Sequence, residues 1–196
     1  MTVLLLAGCS WTQEQPSPSA TPSQHSSLGA DSEIGTHSAA LGAVPAPTPP
    51  TRVQIPSLEV DVTVRPVGVE ADGFMEIPPD VAVGGWYKYG SDPASDTGTT
   101  VIAAHVDSPK YGIGPFAALK DASVGAVVSV TSAEGVVHEY VIESVERIEK
   151  ARLPLDEVFD REGAPRLALI TCGGQFDYGT GHYEDNIVVI AIPTTP

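Results

Sequence analysis

Leu167-Ala168-Leu169-Ile170-Thr171-Cys172-Gly173-Gly174 is the stretch whose reading decides the fold. A short apolar run of this kind reads as a buried strand, and the paired glycines read as its abrupt end. The thiol of Cys172 is therefore expected at a strand terminus, where the backbone turns away and a substrate can approach. Upstream, Thr99-Thr100-Val101-Ile102-Ala103-Ala104-His105 is a second apolar strand, and it ends on a histidine. A thiol and an imidazole at two strand ends are the minimum parts for cysteine-based acyl transfer. The same residues also carry a plainer reading. A lone buried cysteine is commonly a small inert hydrophobe, and sequence alone does not bring the two side chains together.

Outward from this stretch, β-rich runs recur at Arg52–Ile55, Val60–Val64, Ala126–Val130, Val136–Ile148 and Asn186–Ile192, bounded by Pro, Gly, Asp and Ser. The alternation of Tyr140-Val141-Ile142-Glu143-Ser144-Val145-Glu146 fits a strand with one wet face. Residues 131–135 read as a hairpin loop. Helical signals are confined to short pieces near Pro115–Lys120 and Leu155–Phe159. The expected class is all-β, a barrel or sandwich with a few short helices. Trp86, Tyr87 and Tyr89 form an aromatic cluster near an expected loop, read first as core packing and second as a groove wall.

Composition removes several functions. The 196-residue chain has a net charge of −15 and only ten Lys and Arg. It offers no basic stripe for nucleic acid and no charge attraction to an anionic membrane. The histidines at 25, 37, 105, 138 and 182 are scattered, and no Cys or His pair has ligand spacing, so no metal and no cofactor is expected. The two cysteines, Cys9 and Cys172, fall in regions too different to suggest a disulfide. A single unpaired thiol in an exported protein is a pattern worth reading as reactive.

Residues 1–9 read as a truncated signal segment. Leu6-Ala7-Gly8-Cys9 resembles a bacterial lipobox, in which Cys9 is lipidated and anchors the chain to the membrane. No Lys or Arg precedes it, and its apolar stretch is shorter than the usual 7–15 residues, so the true start is expected upstream. Residues 10–50 are rich in Ser, Pro, Thr and Ala and read as a disordered spacer. The prolines at 45, 47, 49 and 50 stiffen its end. No apolar run approaches the ~18 residues of a membrane span. The folded domain is expected over residues 51–196.

Five segments together resemble a sortase, and specifically the actinobacterial class F group, across residues 52–193. They are Arg52-Val53-Gln54-Ile55-Pro56-Ser57-Leu58, Val101–Ser108, Gly114-Pro115-Phe116-Ala117-Ala118-Leu119, Leu169–Gly174 and Tyr183-Glu184-Asp185-Asn186-Ile187-Val188-Val189. The resemblance implies a closed eight-stranded β-barrel and a cysteine transpeptidase on the outer face of the cell membrane. Such an enzyme cleaves a Leu-Pro-x-Thr-Gly-like signal in secreted proteins between Thr and Gly. It then transfers the acyl group to a peptidoglycan precursor or another cell-wall amine. Cys172 is implied as nucleophile and His105 as proton carrier, in a monomer whose only membrane contact is its N-terminal anchor.

The family also uses an arginine after the catalytic Cys, near the start of the last strand. This chain departs from that pattern: no Arg or Lys occurs from Gly173 to Pro196, and Gly181 and Glu184 occupy that stretch. His182 is the candidate substitute, with Arg166 an alternative brought in by folding. Asp107 and Ser108 are candidates to orient the imidazole or bind substrate, or else are turn residues. Thr171 is a candidate substrate contact or a strand filler, and Tyr183 reads as packing. A catalytically degenerate sortase-fold surface module is the alternative function. A peptidoglycan-crosslinking L,D-transpeptidase is disfavoured because its Ser-His-Gly-Cys-like cluster is absent.

Overall fold

Val60, Val62 and Val64 are buried while Asp61, Thr63 and Arg65 between them are exposed. This is the period-two pattern of a strand with one face in a core. The computed structural model describes residues 46–194; Cys9, the signal-like segment and the spacer up to residue 45 lie outside them. The strands are β1 (Pro50–Ile55), β2 (Val60–Val67), β3 (Val83–Tyr87), β4 (Thr99–Ala103), β5 (Asp107–Ser108), β6 (Gly112–Ile113), β7 (Val127–Ser132), β8 (Val137–Glu149), β9 (Arg166–Asp177) and β10 (His182–Pro193). Eight of them close a barrel in the order β1-β2-β3-β4-β9-β10-β8-β7, and β5 and β6 form a separate hairpin. The only α-helix among the described residues is α1 (Leu155–Val158), beside short 3-10 turns at Pro56–Leu58, Pro115–Asp121 and Lys150–Arg152.

Most neighbours in the barrel are antiparallel, but β2–β3 and β4–β9 are parallel. The barrel interior is packed with Ile55, Trp86, Ile102, Leu167, Leu169 and their neighbours, all essentially inaccessible. Trp86 belongs to this core, and its indole N–H donates to the Ser91 carbonyl at 3.0 Å. A second apolar layer lies on the outside of the barrel wall. Val101, Ala103, Ala168, Ile170 and Val188 face outward from β4, β9 and β10, packed with Val158 of α1 and flanked by Leu153 and Phe159.

Two expectations need correction. β9 does not end at the glycines; it runs on through Asp177. The registers Tyr183↔Phe176 and Asp185↔Gly173 leave Gly174 and Gln175 opposite Glu184 alone, which is a β-bulge. Gly174 has φ +77 and lies against the Asp185 side chain, so glycine is required there by both backbone and space. The second correction concerns the end of the expected spacer, which is joined to the barrel. The Thr48 amide donates to Asp92 at 2.6 Å, and the Pro49 carbonyl accepts from Ala133 at 2.8 Å.

Candidate active site

The parallel pairing of β4 with β9 decides what lies beside the thiol. Thr99 stands opposite Arg166, and the register proceeds stepwise to Ala103 opposite Ile170. It continues past the end of β4. The Ala104 amide donates to the Ile170 carbonyl at 3.1 Å, and the Thr171 hydroxyl donates to the Ala104 carbonyl at 2.8 Å. One residue further along each chain stand His105 and Cys172, at the same end of this wall. Alternation then fixes the faces. Leu167, Leu169 and Thr171 point into the barrel with Ile102 and Ala104, while Ala168 and Ile170 point outward with Val101 and Ala103. Cys172 therefore falls on the outer face, and His105 follows the inward Ala104 just past the end of β4. Ile170 is still covered by the outer apolar layer; Cys172, one step further along that face, is half-exposed, as is His105.

Strand β10 closes the other flank. Asn186 is directly opposite Cys172, so its side chain shares that face, and Glu184 is the next residue of β10 on it. The β5–β6 hairpin follows His105 immediately. In it the Asp107 carboxylate accepts a 2.6 Å hydrogen bond from the Tyr183 hydroxyl of β10. That bond, reinforced by partial burial and by the negative charge of Asp107, pushes the Tyr183 phenol up to about 12. Phe176 packs edge-on against both Tyr183 and Tyr178, with ring centroids 5.1 and 5.0 Å away. The segment after His105 and the β9–β10 hairpin are thus fastened together.

The remaining candidates fall elsewhere. Ser108 accepts from the Tyr111 amide at 3.1 Å and serves the hairpin turn. Thr171 is buried inside the wall with its hydroxyl committed to Ala104, on the face opposite to that of Cys172. His182 is exposed and opposite Asp177. Its backbone is four residues from Asn186, about 13 Å along the strand at ~3.3 Å per residue. Arg166 opens β9, six residues or about 20 Å from Cys172. Sequence reasoning missed Asn186 and took Tyr183 for packing alone. Counting alternation back along β10 from Ile187 would have put both Asn186 and Glu184 on the thiol's face. Among the described residues no group of His, Cys, Asp and Glu has a metal-binding arrangement. A cleft of about 720 Å³ lies at the opposite end of β9, lined in part by Pro93, Tyr140, Pro165 and Pro193.

A sortase domain model matches residues 53–194. Among solved structures, the chain resembles sortase C-1 of Streptococcus pneumoniae with 22% identity and a TM-score of 0.55, over 74% of this chain and 67% of that one. Sortase C-1 of Actinomyces oris matches with 19% identity and a TM-score of 0.55, over 74% and 73%. Sortase C1 of Streptococcus agalactiae matches with 16% identity and a TM-score of 0.56, over 74% and 67%. The chain spans about two thirds of the length of such structures, and likenesses at these identities establish the barrel. No curated protein matches the sequence.

Proposed function

Since this chain belongs to the sortase family, we propose that it is a cell-surface cysteine transpeptidase that cleaves a Leu-Pro-x-Thr-Gly-like signal and passes the acyl group to an amine. What supports this reading is the β4–β9 register, which brings the chain leading to His105 alongside the strand that carries Cys172, with both residues half-exposed. In this reading the Cys172 thiolate attacks the Thr carbonyl carbon. The C–N bond to Gly then breaks, and His105 gives its proton to the departing amine. The acyl group remains as a thioester. An incoming amine loses a proton to His105, attacks the thioester carbon and expels the thiolate.

A free thiol with pKa ~8.5 is only a few per cent ionised at neutral pH, so the neighbouring imidazole matters for activation. Asp107, Tyr183 and Thr171 act here as positioning residues. Two of them fasten the loop after His105, and the third links the strand end before His105 to the residue before the thiol. His182 and Ser108 have no part in the chemistry in this reading. The sequence segments favour class F, and the N-terminal lipobox-like Cys9 favours a lipid tether to the outer face of the membrane. No described helix is long and apolar enough to cross a membrane.

A second reading, a peptide-binding module without turnover, draws on one specific feature: Glu184 on the thiol's face, in a stretch without Lys or Arg. The two separate cleanly in one assay. Cleavage of a quenched fluorescent Leu-Pro-x-Thr-Gly peptide that disappears in both Cys172→Ala and His105→Ala supports the enzyme. Binding of the peptide without cleavage supports the module.

A further inference from the structure

Glu184 carries a charge that the thiol's face leaves unbalanced. It is exposed, it lies two residues from Asn186 on the same face of β10, and among the described residues it makes no ion pair. Across from it on β9 stand only the uncharged Gly174 and Gln175 of the bulge. The cations that the fold brings near are engaged elsewhere. Arg147 of β8 holds Asp185 at 3.2 Å, and Lys110 stands over the Tyr111 ring at 4.7 Å. Arg166 is at the far end of β9. The acidic groups of the vicinity are similarly committed, Asp107 to Tyr183 and Asp185 to Arg147. On the thiol's face of β10 Glu184 is left without an ion-pair partner among the described residues, with the exposed His182 two residues before it.

A carboxylate there disfavours the negative charge that develops on a carbonyl oxygen during thiol attack. A cation bound to Glu184 reverses that effect. It neutralises the carboxylate and leaves N–H donors free to point at the developing oxyanion. We infer that Glu184 is a specificity-determining residue that receives a Lys or Arg side chain of the substrate peptide, so that the substrate itself supplies the positive charge beside Cys172. This rests on the transpeptidase reading and extends it to substrate class: a sorting peptide with a basic residue flanking the scissile bond. The guanidinium or ammonium group undergoes no reaction; only its field and its hydrogen bonds are used.

The test is a matrix of the full chain and its Glu184→Gln and Glu184→Arg variants against Leu-Pro-x-Thr-Gly peptides. The peptides carry Lys, Arg, Ala or Glu either at the variable position or directly after Gly. With the unaltered chain, basic peptides at one of those positions should be cleaved about 10- to 100-fold faster in kcat/KM than the Ala peptide, with part of the gain in kcat. Glu184→Gln should erase the preference. Glu184→Arg should invert it and raise cleavage of the Ala and Glu peptides, because the charge is then built in. Equal cleavage of all peptides by the unaltered chain, or a basic preference that survives in Glu184→Gln, overturns the inference and leaves the transpeptidase intact. Cleavage of no peptide by any of the three proteins overturns the transpeptidase reading, and this inference falls with it.

Discussion

The two halves of β9 are one continuous strand with opposite physical characters. From Leu167 to Ile170 it pairs on both sides, with β4 and with β10, and residues 167–171 are buried. From Cys172 to Asp177 it pairs with β10 alone, is broken by a bulge, and has no fully buried residue. The first half is a wall shared by the barrel interior and the outer apolar layer, so its side chains are fixed by packing. The second half continues from that wall with its residues partly or fully exposed. Cys172 sits where the doubly paired wall ends.

The comparison breaks most visibly at Cys172. Cys172→Ala should lower peptide cleavage by about 10⁴-fold or more, while the denaturation midpoint stays within the ~0.5 kcal/mol typical of changes away from packed sites. Loss of fold in that variant would mean that the thiol is a packing residue. Leu169→Ala, three residues earlier and fully buried, should do the reverse. It should cost about 2–5 kcal/mol in chemical denaturation, with the protein that remains folded still competent for cleavage.

Much of this division was legible in the sequence. The apolar run 167–171 and its partner at 99–104 announced two buried strands, and the histidine and cysteine after them mark the candidate site. The continuation of β9 was not legible, because Gly-Gly is the same signal for a stop and for a bulge. The bulge is specified by Asp185 from another strand, pressed against Gly174. β3 was hidden for a similar reason. Val83-Gly84-Gly85-Trp86-Tyr87 looks like a turn with aromatics, yet a side-chain carbon at Gly85 would come within 2.9 Å of Val67. Glycine there permits close approach of a neighbouring strand and does not mark a loop. The Asp107–Tyr183 bond joins residues 76 apart, so no local pattern could show it.

Thr171 sharpens the comparison because it belongs to both halves: its side chain is in the wall and its hydrogen bond serves the site. Thr171→Val should keep the volume but leave the Ala104 carbonyl without its donor, at a cost of about 1–3 kcal/mol. It should also lower kcat with KM nearly unchanged, since the bond helps fix the chain leading to His105. An unchanged kcat would confine the residue to stability.

The smallest effect is expected at Tyr183. Tyr183→Phe removes the bond to Asp107 and should reduce kcat by about 3- to 10-fold, in line with one hydrogen bond. Its phenol is raised to about 12, so its contribution to stability is complete below the ordinary value near ~10 and is lost as pH rises through about 12. The unaltered chain should therefore show no Tyr183-dependent change between pH 7 and 9. The loss of stability between pH ~10 and 12 should be shallower in Tyr183→Phe than in the parent.

The central claim is that Cys172 takes up an acyl group with His105 beside it, and the acyl-enzyme itself is the direct test. The full chain, mixed with excess Leu-Pro-x-Thr-Gly peptides that include basic variants, is quenched in acid and its intact mass is measured. The account predicts a mass increase equal to the peptide acyl fragment ending at Thr. That adduct should map to Cys172, be removed by hydroxylamine, and be absent in Cys172→Ala. An unmodified chain that binds these peptides, while Cys172 still reacts with a thiol alkylator, would contradict it and leave a sortase-fold protein that recognises peptides without cutting them.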